Sequence, residues 1–340
     1  MSTNIVAPTG RVVVAGASGF VGQALVASYR AAGREVSLIG RREATTWNDP
    51  AAIAALVDGA ATVVNLAGRS VNCRYSPANR AEIVRSRVAT TTALGAAIAT
   101  AQQPPSLWIN ASTATIYRHA MDRPQTEAAG ELGTGFSVSV ARAWEDALAA
   151  AETPATRRVA LRMAIVLGDG SALTPLVALT RWGLGGPQCD GPWPVSSARR
   201  AAGTAHDPGS RGGSQRFSWV HLDDVVRVHH WLETQPTIDG PINVTSPNPE
   251  TNRELMAQVR RLLRVPIGIP MPRWMLELGT WVIRSETELV LKSRWVLPER
   301  LQHAGFRFEH DRLDAALASI LAPTRAVHEP GGLPPASTAG

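Results

Sequence analysis

Three glycines at a fixed spacing give the first indication of chemistry in this chain. They belong to the segment Gly16-Ala17-Ser18-Gly19-Phe20-Val21-Gly22. In this pattern the first glycine permits a tight turn, the second lets backbone N–H groups approach a pyrophosphate, and the third allows a helix to pack closely on a strand. The positive end of the helix dipole then faces the phosphates. The segment predicts a dinucleotide site, with a purely structural turn as the alternative.

The residues that follow the second predicted strand bear on which dinucleotide binds. A site for NAD usually has Asp or Glu there, and its carboxylate accepts a hydrogen bond from the ribose 2′-hydroxyl. Here Gly40 stands at that position and is followed by Arg41 and Arg42. A carboxylate would repel the 2′-phosphate of NADP, whereas a guanidinium can bind it with paired hydrogen bonds. The pattern favours NADP(H) over NAD; two arginines on a solvent-facing loop are the alternative.

The elements around these residues predict an α/β fold. Short apolar runs rich in β-branched residues predict strands at Arg11–Ala15, Glu35–Ile39, Thr62–Leu66, Leu107–Ala111, Arg158–Leu161 with Ala164–Leu167, and Ile242–Val244. Between them, apolar residues at helical spacing predict helices. Because strands and helices alternate, we expect a Rossmann doubly wound parallel sheet, with a smaller and mostly helical C-terminal substrate domain.

The predicted organisation has five parts. They are a leader at 1–10, a Rossmann domain at 11–180, a mixed region at 181–265, a small helical domain at 266–321 and a disordered tail at 322–340. Within the mixed region, residues 195–216 include almost no large apolar side chain, which predicts a mobile loop. Thr251-Asn252-Arg253-Glu254 predicts a capping box at the start of a helix.

Composition excludes several classes of protein. Apolar residues make up 44% of the chain, and no run approaches the roughly 18 apolar residues of a membrane span. Cys73 and Cys189 are the only cysteines, so we expect no disulfide. The net charge of +6 comes from arginine, with Lys292 the only lysine, and basic clusters interleaved with aromatic residues are absent. The N-terminus lacks a secretory signal pattern. We expect a cytoplasmic protein that binds neither nucleic acid nor a membrane.

Several motifs resemble the extended short-chain dehydrogenase/reductase superfamily. The glycine spacing is that superfamily's form of the motif, and Asn65–Gly68 looks like the segment that walls the adenine side of the cofactor. Residues 111–117 resemble the strand that carries the catalytic Ser or Thr of sugar-nucleotide epimerases. The resemblance implies that Leu66, Ala67 and Gly68 contact the cofactor. It also implies a homodimer formed through helices of the first domain.

A narrower resemblance covers residues 11–321. Gly185–Pro187, Ser246–Pro249, Val296–Leu301 and Gly305–Phe308 occur in the order typical of an epimerase-like subfamily with a C-terminal domain of unknown function. Members of this subfamily are named for the superfamily rather than for an established substrate. The segment 195–216 looks like an insertion relative to most of them.

The proton-transfer pair of the superfamily is absent from this chain. In a Tyr-x-x-x-Lys motif, the lysine and the nicotinamide ribose lower the pKa of the tyrosine so that it can act as acid or base. None of Tyr29, Tyr75 and Tyr117 has a lysine four residues later. The resemblance places Phe136 and Val140 at the two positions of the motif.

Three residues near the end of the fourth predicted strand are candidates for catalysis. Tyr117 lies just beyond the strand end, where open α/β sheets bind ligands, and could replace the missing acid; packing beside the cofactor is the alternative. Thr113 matches by count the superfamily's hydroxyl residue, and Ser112 precedes it. Either hydroxyl could bind a substrate oxygen or cap a backbone group instead. The only amine, on Lys292, lies in the C-terminal domain.

Polar residues in the second half have structural interpretations. The run His221-Leu222-Asp223-Asp224 could supply a base or a metal ligand, but Asp223 or Asp224 is better interpreted as the cap of the next helix. His229 and His230 are adjacent and cannot share one helix face. We therefore expect no metal. Six side chains are candidates for a substrate cleft only: Arg74, Tyr75, Arg162, Trp182, Trp193 and Arg216.

Two functions of different classes follow. The first is an NADP(H)-binding, epimerase-like oxidoreductase acting on a small carbonyl- or hydroxyl-bearing substrate, such as a nucleotide sugar. Hydride would pass between nicotinamide and substrate carbon, while Ser112 or Thr113 binds the substrate oxygen and Tyr117 acts as its acid or base. The second is an NADP(H)-binding sensor or scaffold with little or no catalysis, which the missing Tyr-Lys pair favours. The presence of a second domain that could close a cleft favours the enzyme.

Overall fold

The fold is seen in a computed structural model that describes residues 10–170, 173–206, 208–282 and 291–321. The expected leader, apart from Gly10, and the whole of the expected tail at 322–340 lie outside the described residues.

A parallel sheet forms the centre of the first domain. In chain order, the strands of the described residues are β1 (Val12–Ala15), β2 (Val36–Ile39), β3 (Thr62–Asn65), β4 (Leu107–Thr113), β5 (Arg157–Met163), β6 (Ile165–Leu167), β7 (Arg216–Phe217), β8 (Trp219–His221), β9 (Gly240–Val244) and β10 (Glu250–Thr251). Six of them lie side by side in the order β2-β1-β3-β4-β5-β9, and every neighbouring pair is parallel. The Rossmann-like fold predicted from the sequence is confirmed.

Helices cover both faces of this sheet. The helices are α1 (Phe20–Ala31), α2 (Pro50–Val57), α3 (Pro77–Thr100), α4 (Phe136–Ala149), α5 (Leu173–Arg181), α6 (Ser197–Ala201), α7 (Leu222–Glu233), α8 (Asn252–Leu263), α9 (Arg273–Val282), α10 (Glu299–His303) and α11 (Leu313–Leu321). Among the described helices, none has both the length and the apolar character needed to cross a membrane.

Alternate residues of β1 pack into different layers. Val12 and Val14 join the core beneath α1 and α7, while Val13 and Ala15 join the core beneath α2, α3 and α4. Because successive side chains of a strand point to opposite faces, a strand covered on both sides must be apolar at nearly every position. This requirement explains the uninterrupted apolar run of β1.

The strand order reverses at β1, which pairs with β2 on one side and β3 on the other. In open α/β sheets, a reversal of this kind leaves a crevice outside the carboxyl ends of the two strands, and ligands bind there. We therefore expect a ligand site among the residues that follow β1, β2 and β3.

A smaller, mostly helical region packs around a second parallel pair, β6 with β8. Leu173 of α5, Leu255 of α8 and Leu317 of α11 share a core with Trp219 of β8. The prediction that Ala164–Leu167 continues the preceding strand of the main sheet is wrong, because Ile165 pairs with Trp219 outside that sheet. The predicted capping box at the start of α8 is confirmed.

The segment 195–216, predicted as a mobile loop, includes one short helix and several buried polar residues. It contains α6, whose N-cap Ser196 accepts a hydrogen bond from the Arg199 backbone N–H. His206 Nε2 lies 2.9 Å from a carboxylate oxygen of Asp190, and both side chains are buried. Four polar residues of the segment are buried: Thr204, His206, Ser210 and Gln215. The segment is therefore mostly irregular in the described residues and is anchored by polar side chains, and its mobility stays a prediction.

Candidate functional site

The glycine turn lies at the carboxyl end of β1, where the strand order reverses. Gly16 has φ +86°, in the left-handed region that favours glycine. A Cβ on Gly16 would lie 2.7 Å from the carbonyl carbon of Leu66 and 2.8 Å from the Ala67 nitrogen, and one on Gly22 would lie 2.9 Å from the Ala17 Cα. A side chain at either glycine would therefore push the turn away from its neighbours. The tight turn and the close packing expected of the first and third glycines are both present.

Helix α1 begins without a side-chain cap. Its N-cap is Gly19, and its first turn has no acidic residue, whereas the side chains of Asp49, Ser76 and Thr251 cap α2, α3 and α8. Backbone N–H groups at a helix start carry partial positive charge and attract anions. The backbone N–H groups of the first turn of α1 therefore donate to no capping side chain and are suited to bind a phosphate.

Arg41 and Arg42 follow β2 beside the glycine turn. The last residue of β2, Ile39, pairs with Ala15 of β1, and its carbonyl accepts a hydrogen bond from the Gly16 N–H at 3.3 Å. Both arginines are exposed. Neither forms an ion pair with any described carboxylate. Two guanidinium groups thus stand available for an external anion at the end of β2.

The segment after β3 is fixed by a buried asparagine. Asn65 is fully buried, and its side-chain amide donates to Asn110 Oδ1 at 2.7 Å and to Thr91 Oγ1 at 3.2 Å. Its side-chain oxygen accepts from the Ala67 N–H at 3.1 Å. These bonds hold Leu66 and Ala67 against Gly16. The three segments predicted to bind the cofactor therefore meet at one edge of the sheet.

The hydroxyl groups at the end of β4 differ in their availability. Ser112 is 3% exposed, and its hydroxyl donates to a carboxylate oxygen of Glu145 at 2.6 Å. Thr113 is half-buried, and its Oγ1 accepts from the Thr115 N–H at 3.2 Å and lies 3.1 Å from Thr115 Oγ1. Of the two candidate hydroxyls, Thr113 is the one with access to a ligand, while Ser112 lies inside the protein.

Tyr117 lies in a buried polar network. It is 2% exposed, and its hydroxyl donates to Asn243 Oδ1 at 2.9 Å and accepts from Arg162 Nη1 at 2.8 Å. Burial raises the pKa of Tyr117 against the opposing effect of Arg162. A hydroxyl whose donor and acceptor sites are both occupied is poorly placed to protonate a substrate. Of the two interpretations of Tyr117, this geometry favours packing.

The same network contains a buried ion pair. Arg162 donates from Nε and Nη2 to the two carboxylate oxygens of Glu145, at 2.8 and 2.7 Å. Burial acts to lower the pKa of Arg162, but the Glu145 carboxylate outweighs it and holds this pKa above its usual value. Arg162 was a candidate for the substrate cleft; the structure gives it a fixed partner instead. It connects β5 to α4 and to Tyr117.

Comparison with known proteins identifies the family of this chain. Residues 12–244 match the model of the NAD dependent epimerase/dehydratase family. The chain belongs to this family. Residues 271–320 match a second model, a domain of unknown function, DUF1731.

Relatives of this epimerase-family chain align along nearly all of its length. It is 31% identical to the epimerase family protein SDR39U1 of Bos taurus over 323 residues, which cover 92% of the chain and 100% of the relative. It is 32% identical to the epimerase family protein Mb2239 of Mycobacterium bovis over 319 residues, covering 90% and 96%. A crystal structure of human SDR39U1 (isoform 2) with NADPH superposes with a TM-score of 0.78 at 27% identity, covering 92% of this chain and 99% of that one.

This family member departs from the wider superfamily at the start of α4. Phe136 and Val140, at the positions of the missing tyrosine and lysine, are both buried. The Phe136 ring contacts the Tyr75 ring edge-on at 4.8 Å between centroids, and its backbone N–H donates to the Gly203 carbonyl at 2.8 Å. The segment 195–216 therefore contacts the start of α4, where the resemblance to the superfamily places the proton-transfer pair.

Lys292 is the functional candidate that the sequence left unplaced. Its ammonium lies 3.5 Å from the Thr115 carbonyl oxygen, two residues beyond Thr113. Hydrogen bonds of the next residue fix its backbone: the Ser293 N–H donates to His119 Nδ1 at 3.1 Å, and the Ser293 hydroxyl donates to the Ala120 carbonyl at 2.6 Å. The C-terminal domain thus brings the only lysine of the chain to the end of β4. A separation of 177 residues between the contacting groups hides this from pattern analysis.

The other candidates for the cleft are dispersed. Trp182 is 84% exposed at the end of α5, and Trp193 is 37% exposed. Arg216 lies over the Trp295 ring, 4.6 Å from its centroid. Tyr75 is buried against Phe136, as above. These contacts give no single cleft lined by the six predicted side chains.

The prediction that Asp223 or Asp224 caps α7 is wrong. His221 is the N-cap, and its Nδ1 accepts from the Asp223 N–H at 3.2 Å. Asp224 is fully buried and accepts instead from the backbone N–H groups of Glu309 and His310, each at 2.9 Å. His221, Asp223 and His310 could group around a metal ion, but the two rings are stacked 3.7 Å apart. The His221 Nδ1 lone pair also accepts the Asp223 N–H, and this bond competes with a metal ion for the same nitrogen.

Proposed function

We propose that this epimerase-family protein is an NADP(H)-dependent oxidoreductase acting on a small carbonyl- or hydroxyl-bearing substrate, such as a nucleotide sugar. The observation that carries the proposal is the position of Arg41 and Arg42, which are exposed after β2 and form no ion pair with a described carboxylate, while Gly40 holds the position where NAD sites usually have Asp or Glu. The NADPH in the crystal structure of human SDR39U1 supports the same cofactor.

The residues at the sheet edge fit a 2′-phosphorylated dinucleotide. The backbone of Gly16–Gly22, with Ala17, Ser18, Gly19, Phe20 and Val21 between the two glycines, would bind the pyrophosphate at the uncapped start of α1. Leu66, Ala67 and Gly68 would line the adenine side, and Arg41 and Arg42 would bind the 2′-phosphate. Bound NADPH supplies a hydride to the substrate carbon.

The chain's own role in the chemistry is to hold the substrate oxygen. Thr113 presents the accessible hydroxyl at the end of β4, and the Lys292 ammonium lies nearby at Thr115. A hydroxyl and a cation at one oxygen stabilise the negative charge that develops there as a carbonyl is reduced. The Lys292 ammonium would donate the proton that this oxygen takes up, directly or through the Thr113 hydroxyl, and solvent would return it. Ser112 and Tyr117 would act by holding the end of β4 in place, since their hydroxyls are bonded to Glu145 and Asn243.

Cofactor binding tests the proposed preference for NADP(H) over NAD(H). The purified protein is titrated with NADPH and with NADH, following nicotinamide fluorescence, and we expect NADPH to bind at least about 10-fold more tightly because of charge-assisted bonds to the extra phosphate. The double variant Arg41→Ala/Arg42→Ala loses this preference. The matched double variant Arg181→Ala/Arg307→Ala, at two exposed arginines remote from the turn, keeps it. Equal affinity of the unmodified protein for the two cofactors contradicts the proposal.

A second candidate function is an NADP(H)-binding sensor with little or no turnover. The observation that favours it is the burial of Phe136 and Val140, at the positions where the resemblance to the superfamily places the proton-transfer pair. NADPH oxidation measured against a broad panel of carbonyl compounds and nucleotide sugars separates the two functions. Tight NADPH binding without oxidation of the cofactor by any member of the panel selects the sensor.

A further inference from the structure

Arg87 is a half-buried cation on α3 that forms no ion pair with a carboxylate of the described residues. Its Nη1 donates to the carbonyl oxygens of Arg69 and Ile83, each at 3.0 Å, and its guanidinium lies over the Trp144 ring, 4.9 Å from the centroid. These are its polar and ring contacts among the described residues. The Nε and Nη2 edge of the guanidinium is engaged by none of them.

Some internal arginines of the chain are paired with carboxylates, and others donate to backbone carbonyl oxygens. Arg162 bonds to Glu145, and Arg34 bonds to Glu233 at 3.0 Å. No ion pair joins Arg87 to a carboxylate in the described part of the chain, and burial lowers the pKa of Arg87 to about 10. A desolvated cation without a counter-charge is costly to a fold. A bound ligand with negative charge would offset this cost.

The position of Arg87 identifies which ligand could do so. A Cβ on Gly68 would lie 3.2 Å from both the Cγ and the Cζ of Arg87, so the guanidinium rests directly on the segment after β3. The same segment touches the glycine turn through the contact of Leu66 with Gly16. Arg87 therefore stands at the rim of the crevice that begins at the start of α1.

We propose that the free edge of the Arg87 guanidinium binds a phosphate oxygen of the dinucleotide held at the Gly16 turn. This inference rests on the proposed binding of NADP(H) and adds a cation that the sequence analysis did not single out. Arg41 and Arg42 would bind the 2′-phosphate at one end of the cofactor, while Arg87 would bind the phosphates between its two nucleosides. The glycine at position 68 leaves the room that the guanidinium needs.

The test compares two arginines of the same helix. Arg85 lies two residues away, 69% exposed and paired with Glu82, so Arg85→Met is a matched control for Arg87→Met. We expect Arg87→Met to weaken NADPH binding by at least 10-fold and to reduce its dependence on salt, because one phosphate contact is lost. Arg85→Met leaves both unchanged, and Arg87→Lys gives an intermediate affinity. Thermal unfolding checks that each variant is folded.

Further titrations locate the phosphate and separate the two proposals. UDP stands for the diphosphate of a nucleotide-sugar substrate; if Arg87→Met weakens binding of UDP while NADPH affinity is unchanged, the assignment to the cofactor is overturned. Equal NADPH affinity of Arg87→Met and Arg85→Met overturns it as well. If the unmodified protein binds no NADPH, the proposed function fails before Arg87 is tested. If it binds NADPH and Arg87→Met binds equally well, only the present inference fails.

Discussion

The phenol of Tyr117 donates a hydrogen bond to Asn243 across 2.9 Å, joining the segment after β4 to the edge strand β9. Asn243 in turn donates from its side-chain amide to the Leu297 carbonyl at 2.9 Å, and its backbone N–H donates to the Glu127 carboxylate at 2.8 Å. One hydroxyl thus connects the sheet of the first domain to the segment that precedes α10. The bond gives the buried Tyr117 hydroxyl its acceptor.

Replacing Tyr117 by Phe tests whether this residue is structural. The substitution leaves Asn243 Oδ1 and Arg162 Nη1 without their partner, and we expect the free energy of unfolding to fall by about 1–3 kcal/mol. Urea unfolding measures the loss. In contrast, Thr113→Ala should lower turnover and leave stability nearly unchanged, since Thr113 is half-buried at the strand end. Loss of turnover in Tyr117→Phe with native stability would restore Tyr117 as the acid.

The ion pair of Glu145 with Arg162 gives a second stability prediction. In Glu145→Gln, the buried Arg162 guanidinium loses its counter-charge, and we expect a loss of about 3–5 kcal/mol. Glu82→Gln removes the partner of Arg85 on the helix surface and should cost less than about 1 kcal/mol. Chemical denaturation of the two variants checks the contrast. Equal losses would mean that burial contributes nothing to the strength of the Glu145 pair.

The sequence predicts the local parts of the site and misses the parts formed by distant contacts. The strand, glycine turn and helix around Gly16 follow from periodicity and from the conformational freedom of glycine, because every determinant lies within about twenty residues. The capping box of Thr251 is local in the same way. By contrast, Lys292 reaches Thr115 only through tertiary packing. The cap of α7 was assigned to an aspartate because aspartate is the commoner cap, yet Asp224 is held by the backbone of residues 309 and 310.

Acid should destabilise the protein through His229. This side chain is fully buried on α7, its Nδ1 lies 2.8 Å from the Val225 carbonyl oxygen, and burial lowers the pKa of His229 to about 4. The unfolded chain has a histidine pKa near 6.5, so it binds the proton first as the pH falls. The contribution of His229 to stability is complete above about pH 6.5 and is lost as the pH falls toward 4, by up to about 3 kcal/mol.

Urea unfolding between pH 7 and pH 4 measures this effect. In His229→Asn, the amide can still donate to the Val225 carbonyl but does not titrate, so the decline in stability with acid should be shallower than in the unmodified protein. Other histidines whose pKa is lowered by burial, such as His221 and His119, remain in both proteins and cancel in the comparison. Parallel curves for the two proteins would assign the acid sensitivity to those histidines.

Lys292 gives the prediction most closely tied to catalysis. Its ammonium lies 3.5 Å from the Thr115 carbonyl, and the Thr115 hydroxyl lies 3.1 Å from that of Thr113. A cation there would stabilise negative charge on the substrate oxygen. For the member of the substrate panel that is reduced fastest, Lys292→Met should therefore lower kcat by about 100-fold or more, while NADPH affinity stays unchanged. Lys292→Arg retains the charge and should recover part of the rate. Arg307→Met, which removes an exposed cation from the same domain, is the control for net charge. If kcat of Lys292→Met equals that of Arg307→Met, the oxygen is held by other groups and the amine has only a packing role.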